Sequence, residues 1–365
     1  MPILQTAIGN TTDATLASQL LTGQAGSAAN GIATNATRIN NLTAAASKAC
    51  NGGPCPVNMF VVNPTVASGG SYLENNDGSS YYDALQIETR RRLSHGLILQ
   101  GSYVFSKSLA NGPTNSSSSV AQPTTFRNLG IDKVPSGFDL RHQLKANWIY
   151  EMPFGPGRRL LSGVSNPIVK KVLEGWETAE VLRVQSGLPF FINGVGTFNQ
   201  VTSNAGITLN NLTAQQLQDM VNIRKTTGSD GKGIVYFLPQ SLINNTLAAF
   251  NTGGFTPADL DTSKPYIGPA PVGQLGWRGF LRQNWNRFFD ASIVKRTRIR
   301  ENMNVEFRAT ALNVFNMTNF GTGASGTNYN NIGSAFGQVS GAYRDISGTV
   351  EPGGRILEFM LRFNF

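Results

Sequence analysis

Charge is scarce in this sequence. Only 14% of its 365 residues are Asp, Glu, Lys or Arg, against roughly 25% in an ordinary soluble domain. Lys and Glu are especially few, while Gly (40), Asn, Thr and Ser are plentiful, a balance that disfavours a helical enzyme and favours strands joined by turns. There are two cysteines and two histidines. His95 and His142 lie far apart, so the ligand spacing of a Cys/His zinc site is missing. Cys50 and Cys55 flank a Gly/Pro turn, CNGGPC, which fits a small disulfide loop in an oxidising compartment better than free thiols. No run of about eighteen apolar residues exists, which excludes a transmembrane helix. It does not exclude a membrane protein, because barrel strands need only every second residue apolar. Met1-Pro2-Ile3-Leu4 lacks a basic region followed by an apolar core, so any export leader is expected upstream of this start.

The net charge is +9, yet the basic residues are scattered over strand ends and loops. Neither a basic helix nor an aromatic–basic stripe is present, and nucleic acid is excluded as a partner on that ground.

What the sequence does have is alternation. In the last residues, RILEFMLRFNF, Leu357, Phe359, Leu361, Phe363 and Phe365 occupy every second position. Side chains alternate between faces along a strand, so these five line one apolar face. Ile356, Glu358, Met360, Arg362 and Asn364 line the other. An apolar-out, polar-in strand ending on an aromatic has the form of a barrel-closing strand, and such a strand is also an assembly signal.

The pattern recurs upstream. Tyr82–Leu93 carries Leu85, Ile87 and Leu93 on one face and Gln86, Glu88, Arg90 and Arg92 on the other. Ser94-His95-Gly96 turns the chain, and Leu97–Ser108 returns with Leu97, Leu99, Gly101, Tyr103 and Phe105 outward, a hairpin. Asp139–Met152 places Leu140, Leu144, Ala146, Trp148 and Tyr150 opposite Asp139, Arg141, Gln143, Lys145, Asn147 and Glu151. Trp176–Ser186 is less regular, because Glu180 shares a face with Trp176, Leu182 and Val184. A charge facing lipid is costly, so either a rim position or a bulge is expected there. Trp285–Arg296 and Met303–Asn316 complete the set, the latter with Glu306 and Arg308 on its polar face. The expected connections are short after Leu93, Met152 and Arg296 and long after Ser108, Ser186 and Asn316. Soluble sandwiches have no reason to segregate loop length by end; outer-membrane barrels do.

The expected fold is therefore all-β: about seven strands, eight if Met59–Asn63 pairs, forming part of a transmembrane antiparallel barrel in the bacterial outer membrane. Residues 1–80 read as a polar, poorly structured extracellular loop region with weak helical stretches at Asp13–Leu21 and Thr34–Ala49. Residues 81–365 hold the strands, with extracellular loops at 109–137, 187–284 and 317–353, the second carrying a short helix at Thr213–Arg224. Tyr103 and Phe105 near the outer strand ends, and Tyr150, Trp176, Phe363 and Phe365 near the inner ends, are candidates for two interfacial girdles.

No residue supports a catalytic step. Gly321–Gly326 matches G-x-G-x-x-G, but neither a helix nor a βαβ unit follows to hold a pyrophosphate. Asp139 and His142 fall on opposite faces of their expected strand, and no nucleophile elbow is present. Gln86, Glu88, Arg90, Arg92, Arg141, Lys145, Glu306 and Arg308 are the candidate lumen-facing residues. Ordinary hydration of a barrel interior accounts for them more simply than a plug or solute contact. No cofactor is expected.

Six blocks carry a resemblance: YDALQIETRRRLSHGLILQGSYVFSKSL, DLRHQLKANWIYEMPFGPGRRLL, GWETAEVLRVQSGLPF, FFDASIVKRTRI, VEFRATALNVFNMTNFG and ILEFMLRFNF. In order and spacing, from about Tyr81 to the end, they resemble the C-terminal part of Oar-like TonB-dependent receptors. These form the carboxypeptidase-regulatory-like family of Acidobacteria type. The first eighty residues match poorly. The resemblance implies a plugged barrel of about twenty-two strands, importing an unidentified ligand. It implies contact with the barrel-assembly machinery, and with the TonB complex through an N-terminal part that has no counterpart here. The carboxypeptidase wording refers to a regulatory-like domain, so no peptidase activity is implied. A small passive barrel or surface adhesin, with binding loops and no transport, is the other expectation.

Overall fold

The computed structural model describes residues 14–21 and, from 78 onward, 78–111, 128–192, 206–228, 233–271, 274–278, 280–300, 302–320, 332–339 and 354–365, apart from a few isolated positions. Cys50, Cys55, Met59–Asn63, Gly321–Gly326 and nearly all of Thr34–Ala49 lie outside the described residues.

In chain order the elements are helix α1 (Ala14–Leu21), strands β1 (Ser80–Ser94), β2 (Leu97–Ala110), β3 (Val134–Pro135) and β4 (His142–Glu151), and helix α2 (Pro167–Leu173). Strands β5 (Trp176–Gln185), β6 (Pro189–Phe191) and β7 (Ile207–Asn210) follow, then helix α3 (Ala214–Met220), β8 (Arg224–Thr227), β9 (Gly233–Tyr236) and helix α4 (Gln240–Ala249). The chain ends with β10 (Tyr266–Pro269), β11 (Phe280–Arg282), β12 (Asn286–Arg300), β13 (Met303–Leu312) and β14 (Ile356–Asn364).

Seven long strands form one antiparallel wall in the order β1-β2-β4-β5-β12-β13-β14, with β3 added to β2. Both outer strands, β1 and β14, lack a second neighbour among the described residues. The wall is thus an open arc. One face reads Arg91, Leu99, Trp148, Glu180, Ala291, Ala311 and Leu357 along a single row of partners. That row starts beside the β1–β2 turn and ends near the loop end of β14, the stagger that tilted barrel strands require.

The β1–β2 connection is a two-residue turn in which His95 (φ 54°) and Gly96 (φ 79°) both take positive φ, a type I′ turn whose twist suits a hairpin. The β12–β13 turn is equally tight. The β4–β5 connection is not: it runs from 152 to 175 and includes α2, so the short link expected after Met152 is corrected. Pro153-Phe154-Gly155-Pro156-Gly157 is only the first bend of that segment, closed by hydrogen bonds from Leu160 N to Pro153 O and Gly155 N to Leu160 O.

The strand expected from Asp139 begins at His142 instead. Asp139 N donates to Ser136 O in a turn, and the Asp139 carboxylate accepts from Ser108 N. Both groups are therefore committed before the ladder starts.

At the opposite end from the hairpin turns sits a folded cap. Its buried core comprises Phe190, Ile192, Ile207, Leu217, Phe237, Leu238, Leu242, Ile243, Leu247, Phe250, Ile267 and Leu281, joined by Ile332, Phe336 and Val339. Every one of these residues comes from the two longest loops, and none from the wall. Three two-stranded ribbons, β6–β11, β7–β10 and β8–β9, frame it. α3 starts at a capping box between Thr213 and Gln216, which satisfies two otherwise orphaned amide groups. It stops at Met220 because Val221 is extended and leads into β8, so the helix is shorter than expected.

Candidate functional site

The wall has two unlike faces. On one, Leu357, Phe359, Leu361 and Phe363 are each more than half exposed, and the partner strands continue the apolar surface through Phe307, Ala309, Ile293, Leu182, Leu144, Tyr103 and Ile87. Exposed apolar area on this scale marks a contact surface and not a water-facing one. The other face carries an ion chain across three strands. Arg296 Nη1 meets Glu177 Oε2 at 2.8 Å, Arg296 Nε meets Glu306 Oε2 at 2.9 Å, and Arg308 Nη2 meets Glu306 Oε1 at 3.1 Å. Ser292 bonds Thr310 at 3.0 Å, and Asn364 donates to Asn304 at 2.7 Å.

Of the expected lumen residues, Gln86, Glu88, Arg90, Lys145, Glu306 and Arg308 alternate onto this polar face in the ladder register. Gln86 Nε2 donates to Glu88 Oε1. Arg92 falls at the register shift between Arg91 and Ser94. Arg141 is the exception to the pattern. It precedes β4, and its guanidinium lies 5.7 Å from the ring of Phe105, a residue of the apolar face. Having left the ladder, its side chain is no longer bound to alternate inward.

Glu180 is neither at a rim nor in a bulge. β5 pairs without a break with β12 from Trp176 to Gln185 and with β4 from Glu177 to Gln185, leaving Glu180 mid-strand on the apolar face. The rings of Trp148 and Phe289, from the strands on either side, approach to 6.0 Å. They therefore meet above β5 at the level of Glu180 and Leu182. Glu180 Oε2 is buried with no hydrogen-bond partner.

Two aromatic groups bracket this face. At the loop end, Tyr103 Oη is 2.8 Å from His142 Nδ1, and Phe105 and Trp285 pack on the His142 ring at 5.1 and 5.6 Å. At the turn end, Tyr150 pairs with Leu97 and Lys295 Nζ sits 5.4 Å over the Trp176 ring.

Two ion pairs that the sequence did not reveal fasten the cap to the segment between β2 and β4. Arg278 holds Asp132, and Arg282 holds Asp139, which is 1% exposed. Gln218 bonds the backbone of Arg282 through both its amide oxygen and nitrogen, at 2.7 and 3.0 Å. The only signal available for Asp139 was the Ser136-Gly137 turn ahead of it, which alternation alone overrode. In the cap's outer turn, Asp261 accepts from Lys264 and Ser263, which pulls its carboxyl down to about 2. The same pairing raises Lys264. Thr256 lowers Asp259 through its backbone and hydroxyl. Among the described residues, no group of three His, Cys, Asp or Glu side chains is placed to hold a metal ion.

A family model described as an outer membrane beta barrel domain matches residues 18–355. The chain belongs to that family. No curated protein and no solved structure matches it. The barrel domain lies in the bacterial outer membrane, and its features take their orientation from that. The apolar face is the one that meets lipid, the short turns are periplasmic and the long loops that build the cap are extracellular. Tyr103, Phe105, His142 and Trp285 then sit at the outer interface, with Tyr150 and Trp176 at the inner one, where amphipathic rings are favoured.

Proposed function

We propose that this barrel domain is the C-terminal part of a TonB-dependent receptor of the Oar-like type, importing a ligand through the outer membrane. The observation that carries the reading is the open wall. An edge strand in hydrocarbon leaves N–H and C=O groups unpaired, each at a cost of several kcal/mol by the usual estimate, about the same order as burying a lone amide. Among the described residues β1 and β14 both have such an edge, which supports a barrel completed by further strands. The six blocks that resemble Oar-like receptors span the same wall strands. In this reading the cap is the ligand-facing surface, the lumenal ion chain faces a plug, and TonB engages a segment outside these strands. Phe363 and Phe365 serve the barrel-assembly machinery. The reading contains no chemical step.

The cap's own core also suits a second reading, a passive barrel or adhesin that presents a fixed binding surface. The two are separated by the mass of the native protein in purified outer membranes, detected with an antibody against Arg355–Phe365. A band well above the 39.2 kDa of this chain supports the receptor. A band at that mass sinks it and leaves the small barrel.

A further inference from the structure

We infer that the periplasmic β4–β5 connection is a membrane-interface anchor that seats on anionic phospholipid headgroups of the inner leaflet. The segment is tied to the lipid-facing side of the wall and not to the lumen. Lys295 and Trp176 are ladder partners on the apolar face. Lys295 Nζ donates to the carbonyl oxygens of Lys171 and Glu174, the C-terminal end of α2. Trp176 Nε1 donates to Val172 O at 2.7 Å. Gly175 (φ 71°) makes the junction possible, since a Cβ there would strike the Arg296 carbonyl oxygen. These contacts hang α2 on the outside of the barrel at its inner rim, continuous with the surface that meets lipid.

On that platform the apolar side chains point away from the protein. Ile168 is 75% exposed and Val172 58%, one helical turn apart, with Val169, Leu160 and Leu161 exposed beside them. Residues four apart share a helix face, so Ile168 and Val172 form a single apolar ridge. In water such a ridge is a liability; at the acyl boundary it is a foothold. Arg158, Arg159 and Lys171 are exposed in the same short segment, whose acidic members are Glu174 and, across the Arg158 pair, Glu151. Apolar ridge and basic fringe together match an interface of acyl chains and phosphates. This holds for any outer-membrane barrel and does not depend on the receptor reading.

The test uses the native protein from outer membranes, with C50S and C55S, carrying an environment-sensitive fluorophore on I168C or V172C. It is reconstituted into phosphatidylcholine bilayers with or without phosphatidylglycerol, each containing lipid with a shallow nitroxide quencher. A label on S241C, in the extracellular α4, controls for insertion and folding. The expected result is blue-shifted emission and several-fold stronger lipid quenching at I168C and V172C than at S241C. That quenching should rise with phosphatidylglycerol and fall in R159Q/K171Q. Water-like emission without lipid quenching at either site overturns the anchor. Quenching that ignores both phosphatidylglycerol and R159Q/K171Q overturns the headgroup as its ligand.

Discussion

Arg282 and Asp139 stand 143 residues apart in the chain, yet the guanidinium of one holds both the carboxylate and, at 2.9 Å, the backbone oxygen of the other. Asp139 also accepts from Ser108 N at 2.7 Å. A carboxylate this buried is tolerable only while paired, and the pair joins cap to wall.

Removing the cation alone should therefore cost far more than a surface pair. R282M is expected to lower stability by about 3 kcal/mol, the low end for a broken buried pair. R296M, which removes the half-exposed arginine of the ion chain on the polar face, is expected to cost below about 1 kcal/mol. D139N/R282M should recover part of the R282M loss, since the two sites interact directly. Urea midpoints in reconstituted bilayers check all three; equal losses for R282M and R296M would contradict the assignment.

Phe336 is 1% exposed and reaches the cap core from the final long loop. Phe237 N donates to Gly337 O and Val339 N to Val235 O, stitching that loop to β9. F336A is expected to cost about 3–5 kcal/mol through the cavity it leaves. The amides of Phe237 and Val339 should then exchange much faster, while those of β4 and β5 stay protected. Exchange measured by mass spectrometry on peptides from each region reads this directly. Unchanged exchange would mean that the loop is not part of the cap.

Glu180 lies in mid-strand on the apolar face, with one carboxylate oxygen buried and unsatisfied. Charge on this face costs up to about 2–4 kcal/mol for Lys or Arg at the midplane and less for Glu. E180L should thus stabilise the wall, by roughly 1–2 kcal/mol on that scale. A lower urea midpoint for E180L would show instead that Glu180 has a partner in the assembled membrane protein.

The outer turn of the cap should respond to acid. Lys264 and Ser263 hold the Asp261 carboxyl down to about 2, against about 3.9 for an Asp in an unfolded chain. Its depressed pKa means that the contribution is fully present above about pH 4 and is lost as pH falls towards 2. Carboxyl chemical shifts of a labelled Asp261 followed through that window give the midpoint. A K264M variant should move it upward, and an unmoved midpoint would rule out Lys264 as the main cause.

The wall was legible because membrane strands obey a two-residue period whose violation costs energy at every step. Leu357 to Phe365, the hairpin about His95-Gly96, and the polar face that carries Glu88, Lys145 and Glu306 all follow from it. Local periodicity also placed α3, through the apolar stripe of Leu217, Met220 and Val221, though the helix ends at Met220 and not at Arg224. The cap resisted such reading because its core joins residues as distant as Phe190 and Val339. α4 carries Leu242, Ile243 and Leu247 into that core, and only the tertiary packing says that this is a buried face.

The sequence by itself determined the alternating strands, their faces and the all-β membrane architecture, since these depend on neighbours two positions away. Only the tertiary structure decided that Asp139 leaves its strand, that Glu180 stays in a continuous ladder, and that α2 hangs on the apolar side of the wall at its turn end. The reason is physical: each of those outcomes is set by a partner far along the chain. Asp139 needs Ser108 and Arg282, Glu180 needs β4 and β12, and α2 needs Lys295.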